Sequence, residues 1–141
     1  MINDDDSNLN NKIEEFLGQP KYDYLDNYEN SIGCINGLSY SPYGGSIVKV
    51  ETVLFKGNGN IKLTGLLGDM TQESINIAFD YLKSHVDLFN INFDSLNNYD
   101  YHVHLPSGSI KKDGPSGGVA IVSALISLIK KVKISNKIAM T

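Results

Sequence analysis

The chain has 141 residues, of which 41% are hydrophobic and 20% charged. A chain of this length forms one domain and buries roughly 68–70% of the surface it exposes when unfolded, which excludes a two-domain enzyme or a long repeat array. Its twelve cationic residues are all lysine and meet sixteen acidic ones, for a net charge of −4. No basic field therefore draws it to nucleic acid or to an acidic membrane.

The one cysteine, Cys34, cannot close an internal disulfide, so a secreted disulfide scaffold is excluded. Between apolar neighbours it reads as a small core residue. The start, Met1-Ile2-Asn3-Asp4-Asp5-Asp6, is acidic and lacks the charged-then-apolar order of a secretory signal. The longest apolar stretch, residues 119–129, is interrupted by Ser123 and Ser127. It falls short of the about 17–25 residues of a membrane span, so it reads as a buried helix. Residues 1–11 are mostly Asp, Asn and Ser and read as a flexible lead-in. Ile13, Phe16 and Leu17 follow at helical spacing, and Gly18 with Pro20 stops that helix. Residues 1–30 are thus a lead-in and linker helix, with the tyrosines 22, 24 and 28 in its polar tail. The folded domain is residues 31–141.

Residues 32–40 and the β-branched run 46–55, joined through Ser41-Pro42-Tyr43-Gly44-Gly45, read as a hairpin. Gly57-Asn58-Gly59 lies in a second turn and is no phosphate loop, because no Gly-Lys-Ser/Thr follows it. Residues 61–64 form a short strand. Asp69 or Thr71 is placed to cap the next helix, with Gln72 as the box partner of Asp69. Ile75, Ala78, Tyr81, Leu82 and His85 give it one buried stripe. A polar loop leads to a strand over 101–105, ended by Pro106. His102 and His104 share one face of it, in a packing or hydrogen-bonding role, since no third ligand at usable spacing makes them a metal site. A second helix over 116–129 and a last strand over 137–141 complete an α+β domain, strands packed against two main helices.

One segment carries chemistry. Residues 111–118 read Lys-Lys-Asp-Gly-Pro-Ser-Gly-Gly. Ser116 stands between a rigid loop and the start of an apolar helix, and Pro115 pre-sets the helical φ. Gly114 and Gly117 remove side chains that would block a substrate backbone. The first N–H groups of a helix have no internal partner, and the dipole there favours negative charge by about 0.3–1 kcal/mol. Such a spot suits a nucleophilic serine with an oxyanion hole, or equally a plain helix-start serine or anion clamp.

Asp-Gly-Pro-Ser followed by a small residue and Gly resembles the nucleophile motif of the Lon family of ATP-dependent serine proteases. The likeness extends along the chain. Asn8 to Gly18 is similar to that family's lead-in helix. Gly37-Leu38-Ser39-Tyr40-Ser41-Pro42-Tyr43-Gly44-Gly45 resembles its Gly-Leu-Ala-Trp-Thr…Gly-Gly hairpin. Leu63-Thr64-Gly65-Leu66-Leu67-Gly68-Asp69-Met70-Thr71-Gln72-Glu73-Ser74 resembles its Thr-Gly-x-Leu-Gly-(Asp/Glu)-Val-Met-x-Glu-Ser helix start. His102-Val103-His104-Leu105-Pro106 and Ala139-Met140-Thr141 follow in the family's order.

The resemblance implies the Lon peptidase fold and a serine endopeptidase of unfolded or damaged proteins. It works through a Ser-Lys dyad, with Ser116 as nucleophile and a desolvated lysine as general base. It implies that Thr141 holds the lysine amine, that Asp113 and Gly117 stand in the site, and that Glu51 lies in the strand lining it. The family continues past Ala-Met-Thr to a Gly-Gly-(x)-Lys-Glu-Lys segment bearing the lysine. The expectation is therefore a partial peptidase domain, inactive by itself, with ATP and Mg held by an ATPase module outside the chain and no cofactor or metal within it. Ser109-Ile110-Lys111-Lys112 and Ser127-Leu128-Ile129-Lys130 spell Ser-x-x-Lys but lie in a turn and at a helix end, so neither is expected to substitute. The family implies a hexameric ring, unfolded polypeptide as substrate, and a mitochondrial matrix or alternatively cytoplasmic location. The other reading is a catalytically inactive interaction module of the same fold.

Overall fold

The computed structural model describes Phe16 and residues 29–41, 44–106 and 111–141. The expected lead-in, most of its helix, the tyrosines 22, 24 and 28, the hairpin residues Pro42 and Tyr43, and Ser109-Ile110 lie outside the described residues.

The elements run β1 (Cys34–Ser41), β2 (Gly44–Lys56), β3 (Ile61–Thr64), α1 (Asp69–Ser84), α2 (Phe93–Asn97), β4 (Tyr99–His104), α3 (Gly118–Lys130) and β5 (Ala139–Met140). The strands form one mixed sheet in the order β3-β4-β2-β1-β5. β2 pairs antiparallel with β1 over its first half and with β4 over its second, and Glu51 is the hinge residue that faces both. β3 and β5 add parallel edges.

Burial follows the two-residue period of a pleated strand. Val48, Val50 and Thr52 of β2, Ile35 of β1, and Tyr101 and Val103 of β4 are buried against the helices. α1 answers with Ile75, Ala78, Phe79 and Leu82, and α3 with Ala120, Ile121, Ala124 and Leu125. The alanines four apart on α3 let its backbone approach the sheet. There the Thr52 hydroxyl donates to Gly33 O at 2.8 Å and stands 3.4 Å from Ala124 O. The Phe79 and Tyr101 rings pack tilted, 5.0 Å between centroids. Burial pushes the Tyr101 phenol up to about 12.

The expected stripe of α1 is narrower than its sequence suggests. Tyr81 is 43% exposed, and His85, the C-cap residue, stacks on it outside the core, 4.2 Å between ring centroids. Phe79, absent from the expected stripe, takes the buried place. The loop expected before β4 contains α2. It is capped by Asn92, whose side chain accepts from Asp94 N at 2.8 Å, and it seals the core with Leu96. Gly65 connects β3 to α1 at φ +120°, where any Cβ would collide with Leu105 O.

The 57–60 turn wraps the Asp100 carboxylate. Asn58 N and Asn60 N donate to Oδ1 at 2.8 and 2.9 Å. These bonds, Asn60 N–H first, hold Asp100 below its ordinary 3.8. A carboxyl depressed in the folded state stabilises above its unfolded value and loses that contribution as pH falls through the folded one. Asp100→Asn should therefore flatten the acid side of a thermal-midpoint-versus-pH curve below 3.8. It should also speed amide exchange at Asn58 and Asn60 at neutral pH.

Candidate active site

The loop of residues 111–117 sits over the helix-facing side of the β1–β2 hairpin. A cavity of about 340 Å³ opens there, floored by Val48, Val50 and Ala120 and walled by Gly37, Ser46 and the loop itself. Ser116 and Gly117 stand at its rim, with Ser116 exposed to it. α3 begins at Gly118, two residues later than the sequence suggests, because Gly117 is the N-cap at φ 130°. That conformation is open to glycine and strained for any other residue. Pro115 is accordingly outside the helix, in the bend before the serine. Neither the Ser116 hydroxyl nor its N–H bonds to a described residue.

Residues 112–115 are held by the segment that enters α1. Lys112 N donates to Leu66 O at 3.0 Å, and Gly68 N donates to Lys112 O at 2.6 Å. The buried Thr71 hydroxyl accepts from Gly114 N at 3.1 Å, and its own proton lies between Lys112 O at 3.2 Å and Gly114 O at 3.3 Å. Ser74 Oγ donates to Pro115 O at 3.2 Å. Asp113 accepts from Met70 N at 3.2 Å.

The capping scheme expected from the sequence is thereby replaced. Gly68 is the N-cap of α1 and gives no side-chain bond. Thr71 faces the loop, and Gln72 donates to Leu67 O at 3.1 Å. The cap comes from Asp113, 43 residues further on. Gly68 makes room for it, since a Cβ there would collide with the Asp113 carboxylate.

Asp113 also lines the cavity, as do Lys111 and Lys112. Glu51 does not. Its strand lines the cavity through Ser46, Val48 and Val50, but Glu51 has the opposite parity and lies on the outer face of the sheet, paired with Cys34 and His104. His102 Nε2 and His104 Nδ1 share the Thr64 hydroxyl at 2.8 and 2.7 Å on that outer face. Cys34, expected in the core, is half-buried there. Thr141 is exposed and directly follows Met140, which lines the cavity. The second Ser-x-x-Lys pattern is absorbed by the fold. Ser127 accepts from Gly33 N at 2.9 Å and donates to Val132 O, and Lys130 donates to Phe89 O at 2.8 Å.

Sequence reasoning offered Thr71 only as a cap for its own helix and did not single out Gly68 or Ser74 as partners of the loop. Hydroxyls three residues apart in the opening turns of a helix share a face, and that spacing was their only local signal. Asp113→Ala should uncap Met70 N–H and cost about 0.5–2 kcal/mol of stability. Gly68→Ala should evict the same carboxylate. In a double-mutant cycle read by denaturant unfolding the two costs should overlap, the pair losing less than the sum.

Residues 8–141 match the family described as the Lon protease (S16) C-terminal proteolytic domain. The chain is 40% identical over 132 residues to the Lon protease of Rickettsia prowazekii (strain Madrid E), covering 93% of the chain and 17% of that protein. It is 47% identical over 131 residues to the Lon protease of Mesomycoplasma hyopneumoniae (strain 232), covering 92% and 15%. It is 42% identical over 128 residues to Lon protease 1 of Myxococcus xanthus, covering 90% and 16%. The chain thus spans less than a fifth of the length of these relatives. They are bacterial, which gives the expected mitochondrial location no support. The match over nearly the whole chain, with Ser116 on its loop above the hairpin, places the chain in the Lon protease proteolytic-domain family.

Proposed function

We propose that the chain is the nucleophile-bearing part of an ATP-dependent serine endopeptidase acting on unfolded polypeptide. The observation that carries this reading is Ser116, an exposed hydroxyl on a turn gripped from behind and open to a cavity in front. Ser116 Oγ attacks the scissile carbonyl, and the tetrahedral oxyanion is met by backbone N–H groups at 116–118. The leaving amine takes the proton that the base removed, and water hydrolyses the acyl-enzyme.

The base is a lysine outside these residues. A lysine acts as base when burial lowers its pKa, and neither Lys111 nor Lys112, the two that line the cavity, is buried. In this reading Thr141, which follows the cavity-lining Met140, holds the incoming amine.

Substrate enters as an added strand. β4 ends opposite Glu51, so residues 44–50 of β2 have no strand on that side among the described residues. Thr52 N–H points to β1, and by alternation Ile47 turns its N–H and C=O to the open side. Residues 51–56 of β2, included in the run read as a single strand from the sequence, are covered there by β4.

The glycine-rich turn of this chain is not a nucleotide site in this reading. Its 58 and 60 N–H groups already bind the Asp100 carboxylate, which would repel a phosphate. Nucleotide and Mg belong to a separate module of the full-length protein, which assembles as a hexameric ring in the cytoplasm. No helix among the described residues is long and apolar enough to cross a membrane.

In the full-length protein Ser116→Ala should abolish cleavage of an unfolded substrate and labelling by a fluorophosphonate probe. The 141-residue chain alone should show no turnover, because loss of the general base costs about 10²–10⁴-fold. Serine-dependent turnover by the isolated chain would overturn the assignment of the base to an outside lysine.

A further inference from the structure

Three successive peptide groups of the nucleophile loop are turned by α1. Gly114 spends its N–H on Thr71, and Gly114 O faces the same hydroxyl. Pro115 has no N–H to give. Its carbonyl is held by Ser74 Oγ at 3.2 Å. The Pro115–Ser116 bond is trans, so its C=O and N–H point in opposite directions. A carbonyl drawn toward α1 therefore sends the Ser116 N–H away from α1, where the cavity extends to β1 and β2. That N–H has no partner among the described residues. Ser74 is half-buried on the ridge that this cavity shares with an apolar groove between α1 and α3, so its hydroxyl is not needed to fill the core.

We propose that Ser74, seconded by Thr71 one turn earlier, is a positioning residue that fixes the Pro115–Ser116 peptide so that its N–H serves as an oxyanion donor. Without the Ser74 hydroxyl this peptide is free to rotate, and a rotated plane presents the Pro115 carbonyl, a negative end, to the developing oxyanion. The inference rests on the reading of Ser116 as nucleophile.

The test uses Ser74→Ala, Ser74→Thr and Ser116→Ala in the full-length protein, with a cleavable peptide and a peptide boronic acid that forms a tetrahedral adduct on serine. Removing an oxyanion donor costs about 10²–10³ in kcat, and misorienting one should cost roughly 10–100-fold. Ser74→Ala should lower kcat by that factor with KM little changed, and weaken the boronic acid in proportion. Ser74→Thr should restore most of both. An unchanged kcat in Ser74→Ala, a loss that threonine does not restore, or an equal weakening of KM would overturn the proposal. Cleavage that survives Ser116→Ala would instead overturn the nucleophile reading and take this inference with it.

Discussion

The grip of α1 on residues 112–115 is the constraint on which the rest of the site depends. A loop that presents the exposed Ser116 to a cavity, as the proposed function requires, must be held firmly enough to fix the directions of its groups. Here the holding is done from the rear by side chains and backbone of residues 66–74. The front is left to the cavity. The exchange is reciprocal, because the loop returns Asp113 as the cap that α1 lacks. Helix and loop thus satisfy each other's unpaired polar groups, and neither is complete without the other.

The sheet supplies the opposing wall. β2 is long enough to pair antiparallel with two strands, β1 and then β4, and it changes partner at Glu51. This change leaves the first half of β2 beside the cavity without β4 against it. The same parity that turns Val48 and Val50 to the helices sends Glu51 to the outer face, near the histidines that share Thr64. The cavity opens on one side of a single sheet, and on the other side the imidazoles of His102 and His104 share the Thr64 hydroxyl.

Most of the fold was legible because its signals are local. The β-branched run of β2, the stop at Pro106 and the apolar run of α3 each fix an element within a few residues. Residues 61–64 match β3 at both ends. What escaped depends on distant partners. The cap of α1 was sought in Asp69 and Thr71, but Asp113 supplies it from 43 residues away. α2 has five residues, too few to display a period, and only Asn92 marked its start. Tyr81 and His85 fit the apolar spacing of α1 yet stack on each other outside the core. Of the residues that line the cavity, Ser116, Gly117 and Asp113 lie in one contiguous motif. The outward parity of Glu51 was present in the alternation of its strand. Thr71 and Ser74 act on a loop more than 40 residues distant, and a helical pattern does not say what its polar face touches.

The edge pairing of β1 bears on the order in which the molecule takes shape. β1 precedes the other strands in the chain, yet its outer edge at residues 36–37 is paired by β5, and Asn36 donates to Asn136 O across 100 residues. Gly33 is pinned in the same way by Ser127, 94 residues later. A chain emerging from the ribosome starts at its N-terminus, so β1 and β2 can pair early while the far edge of β1 stays bare until β5 is made. An unpaired edge is a template for the wrong neighbour. The interval between translation of β1 and of β5 is therefore when the nascent domain is most exposed to mispairing, and when a chaperone at the tunnel exit would have most to shield.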